Sequence, residues 1–307
     1  SLSNFRTPSQ VWLINSDKPS KSIKIADQAG ANFNLDNFLI PELVTMTTKD
    51  GLTLPAYIVY PKNFDPNKKY PVHMDIYGGP DSPQVSESWK GAGSFQWYSD
   101  HGIIEITADC RPSGHNGREG LDQIYRQLDQ VEVEDFVQWA QWLQAKPYVK
   151  GDKIGVEGFS FGGTMPSLLV IDHPEAFHYG IAGGGVYDWS LYDTHYTERF
   201  MDTPQNNPEG YERTKAVNHA KNYVTKNGTT TGVEPVMLKI THGTGDDNVH
   251  YQSCERLVNE LIKNGKLFYQ ISYPMRTHGI SEGAGTSLHV RKTMADFWLR
   301  NLEPGGK

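Results

Sequence analysis

The sequence predicts an α/β fold in which a mostly parallel sheet is covered by helices on both faces. Short apolar runs alternate with longer segments of helical spacing along most of the chain. These apolar runs are continuous, which is typical of strands that are buried on both faces. The 307 residues suffice for one large domain, or for one domain with a smaller appendage.

The first 40 residues differ from the rest of the chain. Two short alternating strands, Val11 to Ile14 and Ser22 to Ile25, flank a turn-rich stretch and predict a hairpin. Because an isolated hairpin is only marginally stable in water, we expect it to belong to a sheet whose other strands lie outside this chain. We therefore divide the chain into an N-terminal segment, 1–40, and a main domain, 41–307.

The main domain is predicted to contain eight strands, with a long polar and aromatic insert after the sixth. The predicted strands are Thr45–Thr48, Leu54–Tyr60, Tyr70–Tyr77, Ile103–Ala108, Ile154–Val156, His178–Ala182, Val236–Thr241 and Leu267–Tyr273. The predicted helices are Val131–Leu143, Met165–Ile171, Tyr251–Asn264 and Ser287–Leu299.

Composition argues against several classes of partner. The net charge of −7, without a cluster of Lys or Arg, argues against nucleic acid and against an anionic membrane surface. No stretch has the apolar length needed to span a bilayer.

Cys110 and Cys254 do not make a disulfide framework, so we expect free thiols. Asn227-Gly228-Thr229 fits a glycosylation sequon, with an unmodified surface loop as the alternative.

The stretch Gly158-Phe159-Ser160-Phe161-Gly162-Gly163 lies between a predicted strand and a predicted helix. In such a G-x-S-x-G turn, glycines leave room for strand and helix to pass closely, while the serine backbone is strained and its hydroxyl exposed. The free N–H groups of the helix would face any negative charge that develops there. A glycine-rich packing turn without chemistry is the alternative.

A serine hydroxyl becomes a useful nucleophile only beside a base that a third group holds in place. One late strand leads into a glycine-rich loop with Asp246 and Asp247, and the next leads towards His278. Taken singly, such an aspartate is more often a turn former and such a histidine a surface residue. Together, the order serine, acid, histidine is that of an α/β-hydrolase fold. We therefore predict a triad of Ser160, His278 and one of the two aspartates.

Four stretches carry a resemblance to a known family: His242 to His250, Asp75 to Pro80, Glu132 to Asp135, and the tyrosine-rich Tyr192 to Phe200. Together with the serine turn they are similar to the prolyl oligopeptidase family, in particular its dipeptidyl peptidase IV branch. The similarity runs from roughly residue 42 to residue 300. It implies an α/β-hydrolase catalytic domain of a serine peptidase.

The resemblance also implies a role for each matching residue. Ser160 would be the nucleophile, Asp246 the triad acid and His278 the base. The Tyr77 hydroxyl and the Phe161 N–H would bind the oxyanion. Asn248 would hold a substrate carbonyl, and an apolar pocket for proline at P1 would be lined by Tyr192, Tyr196, Trp189, Val186 and Val249.

Simple chemistry agrees with these roles. A tyrosine hydroxyl with a pKa near ~10 stays protonated and can donate to an oxyanion at neutral pH. An aromatic slot selects proline by shape, because the proline ring is flat and lacks an N–H. The alternatives are core packing at a strand end for Tyr77, and a core stripe on a helix for Tyr192 and Tyr196.

The chain departs from the family pattern at several positions. Phe159 and Phe161 flank the serine where this branch commonly has Trp and Tyr, so the pocket is expected to differ. Pro166 falls early in the helix after the serine, where it removes a backbone hydrogen bond and is expected to favour a kink. Pro112 replaces a glycine, and Arg276-Thr277 stand where relatives often have acids.

By resemblance, we expect a serine exopeptidase that releases N-terminal dipeptides ending in proline or alanine through an acyl-enzyme. We expect no metal or cofactor, because His242 and His250 have no zinc-type spacing with a nearby Cys or Glu. Relatives carry a β-propeller ahead of the hydrolase that grips the substrate's amino terminus with an acidic pair. Residues 1–40 would then be the remnant of its last blade and a linker.

Several alternatives stay open at this stage. A prolyl tripeptidyl peptidase or an acylaminoacyl peptidase would share this domain, and a carboxylesterase is a more distant alternative. A peptide-binding scaffold without activity is an alternative from outside the enzymes. We expect a periplasmic or secreted location, with a cytoplasmic one as the alternative, and the chain leaves a homodimer open.

Overall fold

The computed structural model describes residues 1–224 and 237–306, so the predicted sequon at 227–229 and Val236 lie outside the described residues. The small N-terminal sheet consists of β1 (Leu2–Asn4), β2 (Thr7–Leu13) and β3 (Ile23–Asp27). The main sheet consists of β4 (Glu42–Thr47), β5 (Thr53–Val59), β6 (Tyr70–Asp75), β7 (Ile104–Ala108), β8 (Val149–Phe159), β9 (Tyr179–Gly183), β10 (Leu238–Gly243) and β11 (Tyr269–Tyr273).

The helices alternate with the strands of the main sheet, as the sequence predicts. They are α1 (Ser94–Asp100), α2 (Gly117–Leu121), α3 (Gln130–Gln144), α4 (Phe161–Asp172), α5 (Thr194–Met201), α6 (Pro208–Thr214), α7 (Ala216–His219), α8 (Gln252–Lys263) and α9 (Thr286–Leu302). In the part of the chain that the structure describes, none of them combines the length and apolarity needed to cross a bilayer.

The main sheet has the strand order β11-β10-β9-β8-β6-β7-β5-β4. The strands from β11 to β7 are parallel neighbours, and β5 and β4 pair antiparallel at one edge. The predicted α/β fold with a mostly parallel sheet is thereby confirmed. Because β8 lies at the centre, the turn that follows it opens at the middle of the sheet's carboxyl edge.

The structure differs from the sequence prediction mainly in short elements. The predicted N-terminal hairpin gains a third strand, β1, and forms an antiparallel sheet. The aromatic insert holds three short helices, α5 to α7, which were not predicted. A helix of four to eight residues has too few apolar positions to show a helical period in the sequence. Such short helices are stabilised by tertiary packing. Asp193 caps α5 by accepting a hydrogen bond from the Tyr196 N–H.

Helix α4 lies at the centre of the larger hydrophobic core. It runs from Phe161 to Asp172 as one helix, with Pro166 inside it and nearly all of its residues buried. Helices α3 and α4 pack on one face of the sheet. On the other face, α1 and α9 pack through a second cluster that includes Tyr98, Phe297 and Trp298.

The central strand β6 is buried, as predicted, but one of its buried side chains is polar. His73 faces the α1–α9 side, where its ring lies 4.8 Å from the rings of both Tyr98 and Trp298. Its Nδ1 lies 2.7 Å from a Glu105 oxygen, and its Nε2 lies 3.2 Å from a Glu157 oxygen. Burial alone would lower the pKa of His73, but the two carboxylates raise it well above its usual value.

Removing one partner of this buried pair should destabilise the fold. In His73→Leu, Glu105 is left 3% exposed without its cation, so we expect the free energy of unfolding to fall by about 3–5 kcal/mol. Chemical denaturation at neutral pH measures this. The double variant His73→Leu/Glu105→Val removes the buried pair and leaves Glu157 with its hydrogen bond from Trp298, so it should recover most of the loss. Equal stability of the single variant and the unchanged protein would contradict this account.

Candidate active site

Ser160 lies at the sharp turn between β8 and α4. Its φ of 64° and ψ of −124° lie in a region that residues other than glycine rarely adopt. The Ser160 N–H donates to the Gly183 carbonyl of the neighbouring strand, at 2.8 Å, which holds the turn against β9. This strained turn is the one that the G-x-S-x-G pattern predicts.

The glycines of the turn are required because three pieces of backbone pass close to one another. A Cβ on Gly158 would lie 2.2 Å from the Gly162 carbonyl oxygen and 2.6 Å from that of Ile76. A Cβ on Gly162 would lie 2.7 Å from the same Ile76 oxygen. No side chain can replace these hydrogens without moving β8, α4 or the segment after β6.

The structure brings the predicted triad residues together from three separate loops. The His278 Nε2 lies 2.9 Å from the Ser160 Oγ, and its Nδ1 lies 2.7 Å from the Asp246 Oδ2. Asp246 is buried, whereas the neighbouring Asp247 is exposed. Of the two aspartates that the pattern left open, Asp246 is the one in contact with the imidazole.

Asp246 is held by four donors. Its Oδ1 accepts from the N–H groups of Asn248 and Val249, at 3.0 and 2.9 Å. Its Oδ2 faces the His242 Nε2 at 3.1 Å, in addition to His278. Burial would raise the pKa of the Asp246 carboxyl, but the hydrogen bonds from His242, His278 and the backbone outweigh burial and lower it below its usual value. The carboxylate therefore stays ionised and can orient the imidazole.

The position of His278 is fixed by its own loop and by one aromatic ring. The ring of Phe159 lies 5.1 Å from the imidazole. Arg276, which stands where relatives often have an acid, donates to the Pro274 carbonyl and to the Thr286 hydroxyl. Its guanidinium thus ties the two ends of the loop together.

The two predicted oxyanion donors, Tyr77 and Phe161, both lie beside Ser160. Phe161 is the first residue of α4, so its N–H has no acceptor within the helix. Tyr77 follows β6, and its ring lies 6.1 Å from that of Phe161. Burial raises the pKa of the Tyr77 hydroxyl, and a hydrogen bond with Ser160 opposes this only in part. The hydroxyl therefore keeps its proton and can donate.

The predicted P1 pocket is a cluster of aromatic rings from one short segment. The Trp189 ring lies 6.1 Å from that of Tyr196, nearly parallel to it, and 5.9 Å from that of Tyr192. Val186 and Val249 are buried beside this cluster. The Tyr192 hydroxyl donates to the Asn248 Oδ1 at 2.9 Å, which leaves the amide N–H₂ of Asn248 for another acceptor.

Sequence reasoning missed two residues that contact the site. His242 was weighed only as a metal ligand, yet it donates towards Asp246 and the Val249 carbonyl. Asp129 accepts a hydrogen bond from the Trp189 indole. The spacing of four residues between His242 and Asp246 was the one available signal. Among the described residues, no group of three or more His, Cys, Asp or Glu side chains could hold a metal ion.

The chain is similar in sequence to known proteins. The model of the prolyl oligopeptidase family matches residues 89–305. A probable dipeptidyl-aminopeptidase B from Uncinocarpus reesii is 40% identical over 275 residues, which are 88% of this chain and 28% of that protein. A probable dipeptidyl peptidase 4 from Aspergillus flavus is 34% identical over 305 residues, which are 96% of this chain and 38% of that protein.

The chain is similar to a solved structure as well. The dipeptidyl peptidase 4 of Porphyromonas gingivalis superposes with a TM-score of 0.87 at 31% identity, over 98% of this chain and 41% of that one. The chain thus spans roughly a third of the length of the curated relatives it matches.

The tight passage at Gly158 can be tested directly. In Gly158→Ala the added Cβ meets the Gly162 oxygen, so the turn must shift and carry Ser160 away from His278. We expect at least about 100-fold slower labelling of Ser160 by a fluorophosphonate, since small displacements of a nucleophile are this costly. Gly151→Ala, on the same strand with its nearest neighbour atom 3.6 Å away, is the control and should label normally. Normal labelling of Gly158→Ala would contradict the requirement for a glycine where β8 passes close to α4 and to the segment after β6.

Proposed function

Because the chain belongs to the prolyl oligopeptidase family, we propose that it is the catalytic domain of a serine exopeptidase that releases N-terminal dipeptides ending in proline or alanine. The observation that carries this proposal is the continuous chain of contacts from Asp246 through His278 to Ser160. The names of the relatives described above and of the solved structure support the dipeptidyl activity.

The proposed reaction begins at the Ser160 hydroxyl. Its Oγ attacks the carbonyl carbon of the P1 residue while the His278 Nε2 takes the hydroxyl proton, 2.9 Å away. Asp246 holds the imidazole with its Nδ1 protonated and stabilises the imidazolium that forms. The oxyanion of the tetrahedral intermediate accepts hydrogen bonds from the Tyr77 hydroxyl and the Phe161 N–H.

The second half regenerates the enzyme. The scissile C–N bond breaks, His278 gives its proton to the leaving amine, and the dipeptide remains as an ester on Ser160. Water then attacks this ester while His278 takes one of its protons. When the second intermediate collapses, His278 returns the proton to the Ser160 oxygen and the dipeptide leaves with a free carboxylate.

The aromatic cluster would select the P1 residue. A proline ring would pack against the aromatic faces that this cluster presents and gain contact area without a hydrogen bond of its own. Alanine would enter the same slot with less contact. The free amide N–H₂ of Asn248 would bind a substrate carbonyl beside this slot.

We also propose that a β-propeller precedes this domain in the intact protein and supplies the acidic pair for the substrate's amino terminus. The chain covers only 28–41% of the length of the relatives cited above, which supports a longer protein. The N-terminal sheet exposes the large apolar side chains Leu13, Ile23 and Ile25, as expected of strands that lack a covering partner. From the family resemblance alone we propose an exported protein, periplasmic or secreted, and a homodimer.

A panel of substrates tests the proposed function. In the intact protein we expect cleavage of chromogenic Gly-Pro substrates and labelling of Ser160 by a fluorophosphonate, both lost in Ser160→Ala. Faster cleavage of Ala-Ala-Pro would indicate a tripeptidyl peptidase, of N-acetyl-Ala an acylaminoacyl peptidase, and of simple esters an esterase. Absence of both labelling and cleavage would contradict an enzyme and favour a peptide-binding scaffold.

The Tyr77 hydroxyl can be tested by removing one atom. In Tyr77→Phe one oxyanion donor is lost, so we expect kcat to fall about 10²–10³-fold with little change in KM. Steady-state kinetics on Gly-Pro substrates measure this. Tyr125→Phe, which removes a hydroxyl from an exposed tyrosine, is the matched control and should leave kcat unchanged. An unchanged kcat in Tyr77→Phe would exclude its hydroxyl from the oxyanion site.

A further inference from the structure

A buried carboxylate lies behind the wall of the P1 pocket. Asp129 directly precedes α3 and is 1% exposed, and its Oδ2 accepts a hydrogen bond from the Trp189 indole Nε1 at 2.5 Å. Trp189 is equally buried. Asp129 also has a φ of 71°, so its backbone adopts the left-handed conformation that an aspartate or asparagine tolerates better than most residues.

A second carboxyl group lies close to the first. Glu132, in the first turn of α3, is fully buried, and neither of its oxygens has a hydrogen-bond partner. Burial, with the nearby charge of Asp129, raises the pKa of Glu132 well above its usual value. Burial also raises the pKa of Asp129, to about 7, although the indole hydrogen bond opposes it. Two unpaired charges side by side are too costly here, so the pair of carboxyl groups holds at most one charge.

The indole that Asp129 holds is central to the aromatic wall. The Trp189 ring contacts those of Phe161, Tyr192 and Tyr196, with centroids 5.4 to 6.1 Å apart. The backbone at Trp189 is fixed separately, since Asp188 caps its short helical turn by accepting from the Ser190 N–H. A backbone cap does not set the side-chain torsions of Trp189. The neighbouring rings confine the indole, and the hydrogen bond to Asp129 fixes the direction in which its Nε1 points.

We propose that Asp129 is a positioning residue for the P1 pocket, which fixes the Trp189 indole and thereby sets the preference for proline over alanine. The proposal rests on the proposed function. A proline ring must meet the wall at one distance and tilt, whereas an alanine methyl group makes little contact with it. Loosening the indole should therefore slow the cleavage of proline substrates more than that of alanine substrates.

The test is the ratio of kcat/KM for chromogenic Gly-Pro to that for Gly-Ala substrates, measured in the intact protein. Asp129→Ala should lower this ratio about 10-fold, as expected for loss of one buried hydrogen bond. Asp129→Asn keeps an acceptor oxygen and should largely restore the ratio. Trp189→Phe lacks the indole N–H and should lower the ratio too. In the double variant Asp129→Ala/Trp189→Phe the two losses should not add.

Two controls separate positioning from general damage. Labelling of Ser160 by a fluorophosphonate in Asp129→Ala should still occur, which shows that the protein is folded and the triad assembled, because the triad does not contact Asp129. If Asp129→Ala does not fold, Asp129→Asn and Trp189→Phe decide. A ratio in Asp129→Asn close to that of the unchanged protein, together with a lowered ratio in Trp189→Phe, supports the proposal. An unchanged ratio in Asp129→Ala, equal losses on both substrates, or additive losses in the double variant would overturn it.

Failure of the proposed function would give a different result from failure of the positioning role of Asp129. In that case the unchanged protein cleaves neither Gly-Pro nor Gly-Ala substrates. The role of Asp129 is then read from the rates at which Ser160 reacts with dipeptidyl phosphonates that carry proline or alanine at P1. A proline-to-alanine rate ratio that falls about 10-fold in Asp129→Ala supports the positioning role, and an equal ratio in both proteins overturns it.

Discussion

The close crossing of β8, α4 and the segment after β6 is the constraint on which the rest of the site depends. At this crossing only hydrogen atoms separate Gly158 and Gly162 from neighbouring carbonyl oxygens. The same approach strains the Ser160 backbone, starts α4 at Phe161 and brings Tyr77 beside the serine. The positions of Ser160 and of the two proposed oxyanion donors, Tyr77 and Phe161, are therefore consequences of one packing arrangement.

Local patterns explain why so much of this arrangement could be predicted from the sequence. Continuous apolar runs mark buried strands, and the carboxyl ends of parallel strands meet at one edge. Ser160, Asp246 and His278 each follow such a strand, so their meeting could be inferred. The choice between Asp246 and Asp247 could not, because both lie in one loop. Two backbone N–H groups decide it by binding the carboxylate of Asp246, and no spacing rule describes them.

The contacts that support the triad and the aromatic cluster could not be predicted from the sequence. Asp129 and Trp189 lie 60 residues apart. His242 and Asp246 are only four residues apart, but they meet because the loop after β10 folds back. The short helices α5 to α7 were missed for a related reason. Their aromatic residues are spaced as in an ordinary core stripe, and only the folded insert shows that Tyr196 stacks on Trp189 next to the serine turn.

The buried charges beneath the site contribute specificity of register rather than stability. His73 on β6 binds Glu105 of β7 and Glu157 of β8, and Trp298 of α9 donates to the same Glu157. Apolar side chains would serve the core equally well, because desolvation offsets much of the attraction in a buried ion pair. A slip of β6 by one residue, however, would turn His73 into the opposite, apolar face and leave both carboxylates unpaired. The free-energy cost of leaving these carboxylates unpaired holds β6 in register with β8. This register places Tyr77 beside Ser160.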